Sequence, residues 1–239
     1  MRRLIGAGMM AAALLAAASP ARAQDQGFSV SLGYFAPIGQ DSRTSGDVLN
    51  ADRCLDVNFQ CEPLLFDVGD FGGGAINGEY ILGLGRHFEL GVGLGYSQQT
   101  VNSVYALVTH DDGSEIRQDL KLRIIPVTGI VRWVPTGRSA RIQPYIGGGI
   151  AGLRWHYAES GEFVDPSDSS IFRAQYIADG TSVAGIIVGG VRAPVGGSFM
   201  LGGEVKFQSG TGDLDSSDFL GNKIDLGGVT YSGTLTWRF

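Results

Sequence analysis

The sequence predicts an all-β chain folded as an eight-stranded antiparallel up-and-down β-barrel that crosses a membrane. Large apolar residues recur with period two, the positions between them are mostly glycine, serine and threonine, and aromatic residues gather toward the ends of these runs. Period two is the spacing of one face of a β-strand. A soluble sandwich or lipocalin-type barrel would bury its large residues and turn a polar face to water. The second face here is too meagre for that, so the apolar face belongs outside and the small face inside. Each unpaired backbone polar group costs several kcal/mol in hydrocarbon, so such a sheet must close on itself.

Met1-Arg2-Arg3, the uncharged run from Leu4 to Ala18 and the small-x-small pattern Ala21-Arg22-Ala23 read as a signal peptide over residues 1–23. Its apolar run falls short of the roughly 20 residues a spanning helix needs. Cleavage before Gln24 leaves 24–239 as the barrel domain. It also removes Arg2, Arg3 and Arg22 from the 18 basic residues, leaving 15 against 24 acidic ones, a balance of −9. That balance argues against nucleic acid as a partner, which selects basic faces. In an oxidising compartment Cys54 and Cys61 can staple a local loop. The alternative is two unlinked thiols; a zinc site would need two further ligands, and no histidine is near in sequence.

Eight segments carry the pattern: 27–36, 74–85, 88–98, 118–134, 142–157, 181–193, 198–208 and 225–239. Phe28, Val30, Leu32 and Tyr34 alternate with Ser29, Ser31 and Gly33; Leu90, Val92, Leu94 and Tyr96 alternate with Gly91, Gly93 and Gly95. In the fourth segment Leu120, Leu122 and Ile124 stand in one phase, whereas Val127, Val131 and Trp133 stand in the other. Pro126 cannot donate a ladder hydrogen bond, so a β-bulge is expected near Ile125-Pro126. Tyr34, Tyr80, Tyr96, Trp133, Tyr145, Trp155, Tyr157 and Trp237 are expected to form interfacial girdles.

The connections alternate as well. They are tight after segments two, four and six, and long, polar and acidic over 37–73, 99–117, 158–180 and 209–224. An eight-stranded barrel is only wide enough for its own side chains to fill. The alternation assigns Glu79, Lys121, Arg123, Arg192, Glu204, Lys206 and Arg238 to the interior as an almost balanced ionic network. A lipid-facing Lys or Arg would cost about 2–4 kcal/mol at mid-bilayer.

The signal peptide, the period-two strands, Ile125-Pro126-Val127 through Trp133, the tight turn, Gln143-Pro144-Tyr145-Ile146-Gly147-Gly148-Gly149 and the terminal aromatic together resemble the small Gram-negative outer-membrane β-barrel family, OmpA/OmpX-like and opacity-type surface proteins. The resemblance covers the whole mature chain. It implies residence in the outer membrane, short turns in the periplasm, long loops outside, and contact with membrane lipid and lipopolysaccharide. It also implies that the last strand, through Tyr231, Leu235, Trp237 and Phe239, is the signal read by the barrel-assembly machinery. Nothing follows Phe239, so the periplasmic peptidoglycan-binding domain of two-domain members is not expected.

The leading expectation of function is a non-enzymatic structural or surface-interaction barrel whose loops, the freest part of any scaffold, meet an extracellular ligand. A narrow channel for small or apolar solutes ranks second, because inward glycines on the third strand leave space. A lipid-modifying enzyme ranks third. It would need a nucleophile and a base at the rim; His87 and His110 read as solvated, which leaves His156, followed by Glu159 and Ser160, as the candidate base. No cofactor or metal is implied. Gly91-Val92-Gly93-Leu94-Gly95 has no phosphate-binding helix after it. Asp213-Leu214-Asp215-Ser216-Ser217-Asp218 lacks the glycine and the distal glutamate of a calcium loop. Acidic loop residues such as Asp111 and Asp112 are expected to form a solvated outer surface.

Overall fold

A computed structural model describes residues 26–53, 64–165, 167–215 and 217–239. The signal-peptide residues 1–23 and both Cys54 and Cys61 lie outside them. Strands β1 (Gln26–Pro37), β2 (Gly73–Leu84), β3 (Phe88–Thr109), β4 (Glu115–Trp133), β5 (Gln143–Val164), β6 (Ile171–Gly196), β7 (Phe199–Ser209) and β10 (Gly228–Arg238) form one closed ring. Each pairs antiparallel with its neighbour, and β1 closes against β10 from Gly27↔Arg238 to Pro37↔Gly228. Two three-residue strands, β8 (Thr211–Asp213) and β9 (Lys223–Asp225), make a small ribbon in the last loop.

Phe28, Val30, Leu32 and Tyr34 of β1 are exposed on the outer wall while Ser29 and Ser31 are buried inside. The same division holds on β10, where Tyr231, Leu235 and Trp237 face out and Thr230, Thr234 and Thr236 face in. Closure pairs both edges of every strand within the ring, the requirement for a sheet in lipid.

Four expectations are corrected by the strand geometry. The segments 99–117 and 158–180 are largely strand: β3–β4 and β5–β6 are long hairpins that turn only at 110–114 and 165–170. The bulge at Ile125-Pro126 is not formed. Pairing stays in one register from Phe88↔Trp133 through Leu94↔Val127 to Ser97↔Ile124, and from Gln118↔Gly161 to Trp133↔Ile146 on the other side. Pro126 costs the ladder the pairs at Gly95 and Tyr96, but not its register.

An unbroken register fixes the side chains of β4. Ile116, Leu120, Leu122, Ile124, Ile130 and Arg132 are buried inside, which turns Lys121 and Arg123 to the outer wall rather than the lumen. Tyr145, Trp155 and Tyr157 are likewise buried inside and are not girdle residues. For Lys121, Arg123, Trp155 and Tyr157 the cause is common. Outside the bilayer the wall faces water, so there the barrel inverts its chemistry, apolar within and polar without, while its pleat continues unchanged.

Candidate functional site: a lumen filled in two ways

The lower lumen, toward the short turns, is built from charge. Arg132 on β4 donates from Nη1 to Glu79 Oε1 at 2.6 Å and from Nη2 to Glu79 Oε2 at 2.7 Å, a fork-to-fork pair. The same Nη2 reaches Glu204 Oε2 at 3.1 Å, which also accepts from the Tyr145 hydroxyl at 2.9 Å. The Arg132 and Arg192 guanidinium groups lie over the Tyr145 ring, 5.4 and 5.3 Å from its centroid. Lys206 donates to Asn77 Oδ1 at 3.0 Å. Glycine makes the room: a Cβ at Gly91 would stand 1.7 Å from Glu79 Oε1, and one at Gly95 2.3 Å from Asn77 Oδ1.

Nearer the turns, one carboxylate serves three arginines. Glu89 Oε1 accepts from Arg138 Nε at 3.0 Å, from Arg238 Nη2 at 3.4 Å and from Arg192 Nη2. Gln143 Oε1 accepts from Arg238 Nη2 at 2.8 Å and from Arg192 Nε at 3.3 Å. A cavity beside the Glu79–Arg132–Glu204 cluster, lined also by Ser31, Thr128 and Thr234, is about 20 Å³, room for a single water.

Of the residues assigned to the interior by alternation, Glu79, Arg192, Glu204, Lys206 and Arg238 stand in this lumen, and Lys121 and Arg123 do not. Glu89, Arg132, Arg138, Gln143 and Tyr145 are additional members. Glu89 and Arg132 had a sequence signal: Glu89 shares the phase of Gly91, Gly93 and Gly95, and Arg132 is out of phase with Val131 and Trp133. Arg138 reaches in from a turn, which alternation cannot reveal.

The upper lumen is filled by apolar side chains and by loops that fold back. The first loop carries a 3₁₀ turn (Gln40–Ser42), a one-turn helix (Val48–Ala51) and a second 3₁₀ turn (Val68–Phe71). Val48 and Leu49 from it, and Phe219, Ile224 and Leu226 from the last loop, pack with Leu120, Leu153, Trp155 and Tyr157 in one buried cluster. Phe219 meets the rings of Tyr157 and Tyr176 at centroid distances of 5.7 and 6.4 Å. Trp155 donates to Ser182 Oγ at 3.1 Å and lies against Gly180 and Gly212, where a Cβ would fall within 2.4 and 2.5 Å of its ring.

The two loops are clasped by polar contacts. Arg43 Nε donates to Asp47 Oδ2 at 2.5 Å and Arg43 Nη2 to the Asp225 carbonyl at 2.9 Å. The Asp225 amide donates to Asp47 Oδ1 at 2.7 Å, and the Thr44 amide to Asp225 Oδ2 at 2.9 Å. The amides of Asn222 and Lys223 both donate to the Gly46 carbonyl at 3.0 Å. Gly46 has φ +80°, and a Cβ there would approach Asn222 Oδ1 to 2.2 Å. The expectation of solvated acidic loops therefore fails for Asp47 and Asp52, which are buried, and holds for Asp111 and Asp112, which are exposed.

Above the lipid-facing band, Asp52 and Glu159 form a buried carboxyl pair. The Tyr157 hydroxyl donates to Asp52 Oδ2 at 3.2 Å and Gln118 Nε2 to Glu159 Oε2 at 3.2 Å. Burial, reinforced by the Glu159 charge, pushes Asp52 well above the ordinary carboxylate range. Burial pushes Glu159 up to about 7.

The candidate rim base is not assembled. His156 faces outward and its Nδ1 meets Asp179 Oδ1 at 2.8 Å, whereas Glu159 points into the plug from the opposite face of β5. His110 Nε2 meets Glu162 Oε2 at 3.0 Å near a hairpin tip.

A closed ring of eight antiparallel strands with an apolar outer band and a side-chain-filled lumen defines a transmembrane β-barrel of the small outer-membrane type. Outer membrane protein OprG of Pseudomonas aeruginosa is similar in structure, with TM-score 0.51 and 12% identity over 91% of this chain and 96% of that one. Neisserial surface protein A gives TM-score 0.43 at 11% identity over 90% and 97%. Ail, the attachment invasion locus protein of Yersinia pestis, gives 0.40 at 13% identity over 90% and 99%. No protein-family model and no curated protein matches the chain.

Proposed function

We propose that this is a non-enzymatic barrel of the Gram-negative outer membrane, a structural or surface-interaction protein that presents its two long hairpins above a closed lumen. The observation that carries the reading is the double filling: Glu79, Arg132 and Glu204 bridge the lower lumen, and the first and last loops occupy the upper one. In this reading β3–β4 and β5–β6 project past the plug and offer their tips to an extracellular ligand. Residues 1–23 direct export, and Tyr231, Leu235, Trp237 and Phe239 form the address used by the assembly machinery.

The test is conductance of the purified, refolded barrel in a planar bilayer. No sizeable steady current is expected; large, steady currents would favour a solute channel and overturn the reading. Deletion of Phe239 is expected to lower the folded, membrane-inserted fraction in cells, read as heat-modifiable gel mobility. Insertion at the normal level would remove the assembly role.

A further inference from the structure

We infer that the outer wall of β4 and β5 carries a binding patch for the phosphate groups of an anionic membrane lipid, formed by Lys121, Arg123 and Arg154. The inference rests on the barrel lying in a membrane with its long hairpins outward.

Register places the three cations together. Arg123 is paired with His156, Lys121 with Ala158 and Ile125 with Arg154, so all three side chains leave the same wall on two adjacent strands. Neighbouring strands are about 4.8 Å apart and same-face residues along a strand about 6.6 Å apart, so the three positions span roughly one lipid headgroup. None of the three has an ion-pair partner among the described residues. Arg43, Arg117, Arg132 and Arg173, by contrast, all do.

Two acids flank the patch, and neither forms an ion pair with Lys121, Arg123 or Arg154. Asp119 accepts from Asn102 Nδ2 at 2.6 Å, and Asp179 from His156 Nδ1 at 2.8 Å. Three cations against two carboxylates leave the patch a net charge of +1 on a chain whose sequence is acidic overall.

Height identifies the partner. Arg154 stands in the row of Ile125, with Val127, Ile150 and Val183 exposed on the wall just below. Tyr96, whose hydroxyl donates to Gln98 Oε1 at 3.0 Å, marks the same level on β3. Apolar wall beneath and polar wall above is the headgroup level, where tyrosines settle and basic side chains meet anionic lipid. Across the barrel, the outward positions at the upper ends of β2, β7 and β10 include Gly74, Phe207, Ser209 and Val229, none of them charged. The charge is thus a sector rather than a ring. Two guanidinium groups suit bidentate grip of phosphate oxygens, and Lys121 adds a point charge.

The test uses the full barrel in nanodiscs holding a bis-phosphorylated lipopolysaccharide, its enzymatically dephosphorylated form, or zwitterionic phospholipid alone. Lipid retained after mild detergent extraction is counted by native mass spectrometry. Wild type is expected to retain the phosphorylated form at least tenfold over the dephosphorylated one. The triple variant Lys121→Gln, Arg123→Gln, Arg154→Gln should lose that preference, while the control Arg117→Gln, Arg173→Gln, higher on the hairpins, should keep it. Single Arg154→Gln and Arg123→Gln variants, each expected to lose about threefold, stand in if the triple variant does not fold. Equal retention of both lipid forms by wild type, or an unchanged preference in the variants, would overturn the patch. Failure to enter any nanodisc would instead overturn the membrane reading.

Discussion

The lower and upper halves of the lumen solve one packing problem with opposite chemistry. Below, the wall itself supplies charged side chains, and Arg132 gathers Glu79 and Glu204 from across the barrel. Above, the chain returns from its own loops to supply Val48, Leu49, Ile224 and Leu226. The difference follows from what surrounds each half. Where lipid coats the wall, the apolar residues are drawn outward and polar ones remain for the interior. Where water coats it, the ordinary hydrophobic effect operates and the interior is apolar.

The contrast is broken most severely from below. Arg132→Ala leaves two carboxylates buried without their shared cation and should cost about 3–5 kcal/mol, measured by urea titration of tryptophan fluorescence in vesicles. The double substitution with Glu79→Gln should cost less than the sum of the two single ones, since the buried partners are removed together. In the upper half, Leu49→Ala should cost about 2 kcal/mol. Its signature should be faster proteolysis of the first loop with barrel mobility on gels unchanged. An equal loss of barrel folding would show that the halves are one cooperative unit.

The smallest effect is set by pH. Folding raises both Asp52 and Glu159, with Glu159 reaching about 7. The docked plug is therefore fully stable below the unfolded carboxyl values of about 4, and that stability is lost as pH rises through about 7. Exchange protection in the first loop, taken relative to the intrinsic rate at each pH, should be lower at pH 8.5 than at pH 5.5, and Glu159→Gln should flatten the dependence. Exchange protection that is independent of pH in the wild type would rule out the carboxyl pair as the cause.

The membrane-facing part of the fold was legible because lipid enforces a single rule over the whole bilayer thickness. Phe28 to Tyr34 on β1 and Tyr231 to Trp237 on β10 obey it, and their phase can be read directly. The same rule misplaces Lys121, Arg123, Trp155 and Tyr157, because these residues sit where the wall has left the lipid and the polarity of its faces has exchanged. A strand that crosses that boundary shows a phase change in chemistry with none in geometry, and β4 imitates a bulge for this reason. Tyr145 fails differently: it serves as a cation platform in the lumen, and a lone aromatic in a strand does not disclose which face it takes. The plug was not legible at all. Its contacts join residues such as Asp47 and Asp225, 178 positions apart, through backbone groups of irregular loops that carry no period.

The clasp ties the plug to the register of the barrel seam. The first loop hangs from β1 and the last from β10, the two strands whose pairing closes the ring, and Ile38 at the foot of the first donates its amide to the Gly227 carbonyl at the foot of the other. A seam paired out of register would carry Asp225 away from Arg43 and Asp47, leaving Val48, Leu49 and Ile224 without the packing that buries them.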